Sequence, residues 1–248
     1  MSLLSLPGLA FYVLVLIAAF AVRSAAGFGA GLIAVPMLAF VLPVPTAVSV
    51  ATALTTLTSV HQVGRDWRHV VWRQFALLVF YTVLGIGLGL YFIRLLDENT
   101  LRHSLGVFLI LYAAHALWKG GTASVLPTRW HSALAAAVGI SGGCFSALFG
   151  GGVGPIYVVY FNALRMDRIA FRVTMSAVVL IGGVVRLAGY ASYGFYKGPT
   201  ISLLLIGLPL VIIGSWLGER LARWLSIQVF ARVVGVLVLL SGAALFLK

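Results

Sequence analysis

Gly27-Phe28-Gly29-Ala30-Gly31 returns 123 residues later as Gly150-Gly151-Gly152-Val153-Gly154, with three of the five positions identical. Each cluster leads into a short apolar segment, residues 29–43 and 151–162, of 15 and 12 residues. A helix that spans a bilayer uses about 20 residues, so neither segment is a full span. Glycine lets a backbone break its helix and approach a ligand closely. A helix that restarts after the break presents unpaired N–H groups and the positive end of its dipole. Two such ends facing each other would hold an anion. The competing reading is tight helix packing, a common use of small residues in membranes.

Outward from the two clusters the chain is almost continuously apolar. Runs fall at about 8–26, 45–62, 72–95, 100–118, 131–148, 168–191, 199–219 and 226–247, separated by Pro43-Val44-Pro45, Arg65-Asp66, Asp97-Glu98-Asn99, Lys119-Gly120-Gly121 and similar breaks. The chain has 248 residues, 62% hydrophobic and 9% charged. A soluble domain is about a quarter charged, and this one could not cover its own surface in water. The expected fold is an all-α polytopic membrane bundle of eight full spans and two short segments. An outer-membrane barrel is disfavoured, since its strands would alternate apolar and polar residues. No Lys or Arg precedes Leu9–Ala21, so that run reads as a first span rather than a cleaved leader. The single Cys144 excludes an internal disulfide and a cysteine-based metal site.

A second match supports duplication. Leu101-Arg102-His103-Ser104-Leu105-Gly106-Val107 aligns with Phe230-Ala231-Arg232-Val233-Val234-Gly235-Val236 at an offset of 129. The expected halves are residues 1–122 and 123–248 of one membrane domain. The net charge of +12 lies in short loops, which is a topology signal rather than a nucleic-acid surface. If the short segments count as crossings, Arg65, Arg68, Arg73, Lys119, Arg129, Arg165, Arg168, Arg172, Arg220, Arg223 and Arg232 share one side. Arg94, Arg102, Lys197 and Lys248 share the other, a split of 11 to 4. If the short segments dip and return, the split is 7 to 8 and carries no signal. Positive charge favours the cytoplasm, so the first arrangement is expected. Five segments per half invert the second half relative to the first, and both termini lie outside the cytoplasm. Many secondary transporters follow that plan, with the substrate held at paired broken segments.

Candidate ligands follow from position. Arg23 precedes the first cluster and Arg186 lies inside the eighth segment. An ionisable residue within a span is costly and marks function by default, although snorkelling to the headgroups is the alternative. Ser24, Ser141, Ser146, Thr52, Thr55 and Thr56 are possible hydrogen-bond donors, as are Tyr157 and Asn162. The chain's five acids, Asp66, Asp97, Glu98, Asp167 and Glu219, all fall at segment ends. No proton relay, metal cage or oriented hydrolytic base is built within the spans. No Walker loop is present, and no cofactor is implied.

The residues Gly27-Phe28-Gly29-Ala30-Gly31-Leu32-Ile33-Ala34-Val35-Pro36 resemble the first-half signature of the sulfite exporter TauE/SafE family of membrane permeases. Gly139-Ile140-Ser141-Gly142-Gly143 through Phe149-Gly150-Gly151-Gly152-Val153-Gly154-Pro155 is similar to its glycine-rich second-half stretch. Asp167, Phe171-Arg172-Val173-Thr174, Val185-Arg186, Tyr190 and Gly194 follow the later pattern. Ala30 and Val153 depart from many members. The resemblance implies transport of sulfite, sulfoacetate or another organosulfonate, sometimes thiosulfate. It marks the glycine stretches, Arg172 and Arg186 as positions to test. The substrate-binding set expected on all these grounds is Arg23, Ser24, Gly27, Gly29, Gly31, Ser146, Gly150, Gly151, Gly152, Gly154, Tyr157, Arg172 and Arg186. The expected partners are a small anion and membrane lipid, with a homodimer as one possible assembly. A permease for another small anion or a neutral sulfur compound, and a non-transporting membrane scaffold, stay open.

Overall fold

In a computed structural model, the described residues are 6–26, 29–118, 131–150, 154–164 and 166–221. They form helices α1 (Leu6–Ala26), α2 (Ala30–Leu38), α3 (Val44–Asp66), α4 (Trp72–Leu95), α5 (Glu98–Trp118), α6 (His131–Phe149), α7 (Gly154–Ala163), α8 (Arg168–Ser192) and α9 (Gly198–Leu221). A single 3-10 turn at Trp67–His69 joins α3 to α4. No strand occurs among the described residues. The expected run at 226–247 and the boundary at 122/123 lie outside them.

Five helices are long and apolar enough to cross a membrane: α1, α4, α6, α8 and α9. Five such helices in one chain are the pattern of a multi-pass membrane protein. α4 and α9 leave apolar faces outward, Phe80, Leu84, Leu88 and Leu95 on one and Leu205, Ile212 and Trp216 on the other. In water such faces would be costly; in a bilayer they meet lipid. α3 is not among the five. It carries Ser49, Thr52, Thr55, Thr56 and Ser59, yet these are all buried, so its polar face turns into the bundle rather than to lipid.

Glycines set how closely the helices approach. Gly85 and Gly89 of α4 interlock with Gly139 and Gly143 of α6. A Cβ on Gly85 would stand 2.2 Å from the Ile140 carbonyl oxygen, and one on Gly143 2.2 Å from that of Thr82. Gly214 and Gly218 of α9 fit the same way against Ile17 and Ala21 of α1. Small residues four apart allow such close backbone contact between membrane helices.

The contacts also fix direction. Tyr12, Ile17 and Ala21 of α1 meet Leu203, Gly214 and Gly218 of α9 in rising order, so α1 and α9 run parallel. Leu54 meets Gly207 and Arg65 pairs with Glu219, so α3 runs parallel to α9. α4 is parallel to α6, with Gly85 on Ile140 and Gly89 on Cys144. It is also parallel to α8, with Thr82 near Gly182 and Leu90 on Gly189. α3 and α8 are antiparallel: Gln62 accepts from Ser176, Thr56 meets Gly183, and Ser49 accepts from Tyr196 beyond the helix. Thus α1, α3 and α9 point one way and α4, α6 and α8 the other. Each short helix returns the chain between two helices of equal direction, α2 between α1 and α3, α7 between α6 and α8.

Candidate functional site

α7 and α8 are placed by local sequence chemistry. Asp167 caps α8, its carboxylate accepting from the Ile169 and Ala170 N–H groups at 2.9 and 3.0 Å, which satisfies donors the helix itself cannot. Gly150 ends α6 at φ +71°, a left-handed conformation that favours glycine. A Cβ there would press within 2.9 Å of Val35 and 3.2 Å of the Val48 Cα. The second glycine cluster therefore begins directly against α2 and α3. Gly29 opens α2 at φ +100°.

Arg186 lies deep within α8 and is 2% exposed. Its Nη1 donates to the Ser146 hydroxyl on α6 at 2.9 Å. The Ser146 hydroxyl in turn donates to the Gly143 carbonyl at 2.8 Å. The other edge of the guanidinium, Nε and Nη2, has no hydrogen-bond partner among the described residues. Tyr157, in the first turn of α7, lies within electrostatic reach of Arg186. Its buried hydroxyl faces Thr82 and Ser146 without reaching hydrogen-bond geometry. The Thr82 hydroxyl on α4 is buried and unpartnered too. Gly142 makes room for the Tyr157 ring, since a Cβ there would fall 2.8 Å from Cε1. Gly182 leaves space beside the guanidinium and Thr82. Gly183 lets Thr56 of α3 come close, a Cβ there meeting the Thr56 hydroxyl at 2.1 Å.

Two more tyrosines close the group. Tyr190, one turn beyond Arg186, donates to the Ala147 carbonyl and faces Thr52. Tyr196, past the end of α8, donates to the Ser49 carbonyl at 3.3 Å. Burial pushes the Tyr196 hydroxyl up from its ordinary range, so it stays a donor. Both interact electrostatically with Arg186. No carboxylate belongs to the cluster. The result is a buried cation ringed by hydroxyls, with its paired-donor edge unpartnered among the described residues. Such an edge matches two oxygens of an oxyanion.

Arg23 has a different setting. It is 4% exposed, and its Nε and Nη2 donate to Thr58 at 3.0 Å and Ser59 at 2.7 Å on α3. Ser24 beside it is half-buried. Arg172 stands 14 residues before Arg186 on the same helix, about 21 Å along the axis, so the two are not brought together. The structure gathers Ser146, Tyr157 and Arg186, with Gly154 buried at the start of α7. Gly31 is buried within α2. Gly27, Gly151 and Gly152 lie outside the described residues. Thr82 escaped the sequence reading; its one signal was a hydroxyl in the middle of the apolar run 72–95. Among the described residues no cluster of His, Cys, Asp or Glu could hold a metal.

The family model described as "Sulfite exporter TauE/SafE" matches residues 12–245. The chain is 25% identical over 184 residues to the "Probable inner membrane transporter protein TsaS" of Comamonas testosteroni, covering 73% of this chain and 75% of that one. It is 24% identical over 231 residues to the "Probable sulfite/organosulfonate exporter TauE" of Cupriavidus necator, covering 91% and 88%. No solved structure matches it.

Proposed function

The chain belongs to the sulfite exporter TauE/SafE family of membrane transporters, and from that premise we propose that it is an inner-membrane permease for a small sulfur-containing anion, sulfite or an organosulfonate. One observation carries the reading: the Nε/Nη2 edge of buried Arg186 has no partner among the described residues. A guanidinium inside a bundle is costly, and buried donors are as a rule engaged. An arriving oxyanion would pair that edge, with the Tyr157 and Thr82 hydroxyls as further donors. The orphan N–H groups of the first turn of α7 would add the helix dipole.

The remaining expected ligands join this proposal in graded roles. Gly29, Gly31, Gly150 and Gly154, with Gly27, Gly151 and Gly152, shape the breaks around the anion. Arg23 and Ser24 hold the far side of α3. Arg172 sits toward one mouth of the path. The direction of transport is export: a potential negative inside drives anions outward, by about 2.3 kcal/mol per charge per 100 mV. With all five acids at helix ends, no carboxylate stands in the spans to couple a proton.

We further infer two inverted halves, residues 1–122 and 123–248, with eight full spans, two short segments and both termini outside the cytoplasm. The helix pairings support this reading. Advancing each helix number by five turns the α4–α6 pair into α9–α1 and the α1–α2 pair into α6–α7. The equal directions of α1 and α3, and of α6 and α8, suit short segments that carry the chain back across.

The test is flux from proteoliposomes under an imposed potential, with sulfite, sulfoacetate, taurine and chloride compared. Potential-driven flux of a sulfur anion, lost in Arg186→Gln, is the expected result. Equal flux from protein-free liposomes would sink the proposal.

A further inference from the structure

We propose that the anion crosses the bundle along the hydroxyl face of α3, and that Arg23 is a second binding station on that path, paired with Arg186. This rests on the permease reading above and adds the route of the cargo and the residues that line it.

Ser49, Thr52, Thr55, Thr56 and Ser59 recur at intervals of three and four, so they share one face of α3, and all five are buried. Ser49, Thr56 and Ser59 donate to carbonyls of their own helix, the ordinary use of such residues. A hydroxyl gives up that bond to an arriving anion by one rotation. What sets this row apart is a cation at each end. Ser59 accepts from Arg23 at 2.7 Å. Thr52 faces Tyr190, which interacts with Arg186. The antiparallel register of α3 on α8, set by Gln62 on Ser176 and Thr56 on Gly183, spaces the two arginines. Arg186, three residues past Gly183, falls level with Ala53, three before Thr56; Ser59, with Arg23 on it, is three past Thr56. At about 1.5 Å per residue the two stations bracket Thr56 and stand about 9 Å apart along the axis.

The sequence repeat relates the same two arginines. Superposing the glycine clusters at their offset of 123 lays Arg23 on Ser146. Each stands three residues before the end of its helix, α1 or α6. In both places one arginine–serine bond ties the helix before a glycine cluster to the long helix after it, α1 to α3 and α6 to α8. Donor and acceptor are exchanged, the arginine lying before the cluster in one and after it in the other. Arg23, already bonded to Thr58 and Ser59, is the weaker station and Arg186 the tighter. Between them Thr56 is seated on Gly183, where a Cβ would lie 2.1 Å from its hydroxyl. This conformation therefore shuts the path at its centre, and α3 must part from α8 for an anion to pass.

A cysteine scan of the full-length protein in proteoliposomes, in a Cys144→Ser background, tests the path. Thr52→Cys and Thr56→Cys are treated with methanethiosulfonate ethylsulfonate, a thiol reagent that is itself a sulfonate. Both are expected to react and to lose methanesulfonate flux on reaction. Leu57→Cys, exposed on the other side of α3, is expected to keep its flux under the same treatment. Methanesulfonate at about ten times its half-saturating concentration should slow the reaction about tenfold by mass action. Adding Arg23→Gln should slow the charged reagent about tenfold, the low end of electrostatic focusing, and leave neutral methyl methanethiosulfonate unchanged; a merely structural arginine would not separate the two. Thr52→Val and Thr56→Val, which keep the side-chain shape, should each cut flux about tenfold, as the loss of one hydrogen bond to a charged group does. Cysteines that do not react, reaction at one rate with and without methanesulfonate, or full flux in both valine variants overturns the path and leaves the permease reading intact. Equal slowing of the charged and neutral reagents by Arg23→Gln overturns the second station. Absence of flux for methanesulfonate, sulfite and sulfoacetate alike, from the folded unsubstituted protein, overturns the permease reading and this inference with it.

Discussion

Replacing Arg186 with glutamine should separate transport from stability. The substitution removes the free Nε/Nη2 edge and the charge behind it. Hydrogen bonds to charged groups contribute about 1.5–3 kcal/mol each, so losing two from the bound state costs about 3–6 kcal/mol. At about 1.4 kcal/mol per tenfold, transport efficiency should fall at least about 100-fold. The empty protein responds in the opposite sense. It loses one bond from the guanidinium to Ser146, about 1.5–3 kcal/mol on the same scale. It also sheds a mid-helix cation whose placement costs about 2.5–3.5 kcal/mol. Thermal unfolding in detergent, read by size exclusion after heating, should show a melting temperature equal to or above that of the wild type. Flux and melting temperature are measured on the same preparation. A variant that transports normally would show that Arg186 does not hold the anion. A variant that no longer folds would show that the arginine is structural and the unpaired edge incidental.

Tyr157→Phe removes a buried hydroxyl that has no partner among the described residues; sulfonate flux should fall about tenfold, in keeping with one hydrogen bond to a charged group, without loss of folded yield. Gly85→Ala places a methyl 2.2 Å from the Ile140 carbonyl and should destabilise by about 1–3 kcal/mol or more. Gly87→Ala, two positions along the same helix with nothing within 4 Å, should be neutral or gain up to about 1 kcal/mol of helix propensity; equal effects would refute the packing argument. In a Cys144→Ser background, His69→Cys and Asp167→Cys should label from the cytoplasm and Lys197→Cys from the opposite side. Labelling of the first two from opposite sides would mean that the short segments turn back. The Asp97 carboxyl, which accepts from the Thr100 hydroxyl and N–H, is held below its ordinary range. Its contribution to stability is full above the unfolded value and fades as pH falls below about 4; an Asp97→Ala variant should lose that part of the acid slope, as thermal melts would show.

Much of this organisation was legible because apolar runs and their breaks are local. The run read at 72–95 is α4 to the residue, and the short segments 29–43 and 151–162 enclose most of α2 and α7. Ser146, Tyr157 and Arg186 were readable as candidates since a polar side chain inside an apolar run stands out. Their convergence was not readable. It depends on which helices pack together, and the α4–α6 contact joins segments separated in sequence by α5 and residues 119–130. Thr82 shows the limit. A lone threonine in a span most often bonds back to its own helix, and only the approach of α6 and α8 gives this one Arg186 as a neighbour. The glycines illustrate the same point. Gly139, Gly142 and Gly143 entered the sequence reading together, as one glycine-rich stretch of the family resemblance, but the structure assigns Gly139 and Gly143 to packing against α4, while Gly142 and Gly182 open space for Tyr157 and Arg186.

The two buried arginines explain each other's roles. Both occupy long apolar helices, and by sequence they carry the same cost. Arg23 recovers part of it through Thr58 and Ser59, whose hydroxyls sit one residue apart in the C-terminal half of α3. Arg186 recovers less, through Ser146 alone among the described residues, with the buried Tyr157 and Thr82 hydroxyls nearby and unpartnered. Those hydroxyls could satisfy its charge only as acceptors, and a neutral oxygen is a poor substitute for an anion. A pocket that leaves its cation partly unpaired binds an oxyanion more tightly than one that has already satisfied it, because the anion has no internal partner to displace. On the proposed reading, the unfinished set of bonds around Arg186, with no acid beside it, is what lets the bundle gather an anion from water and still release it under a modest potential.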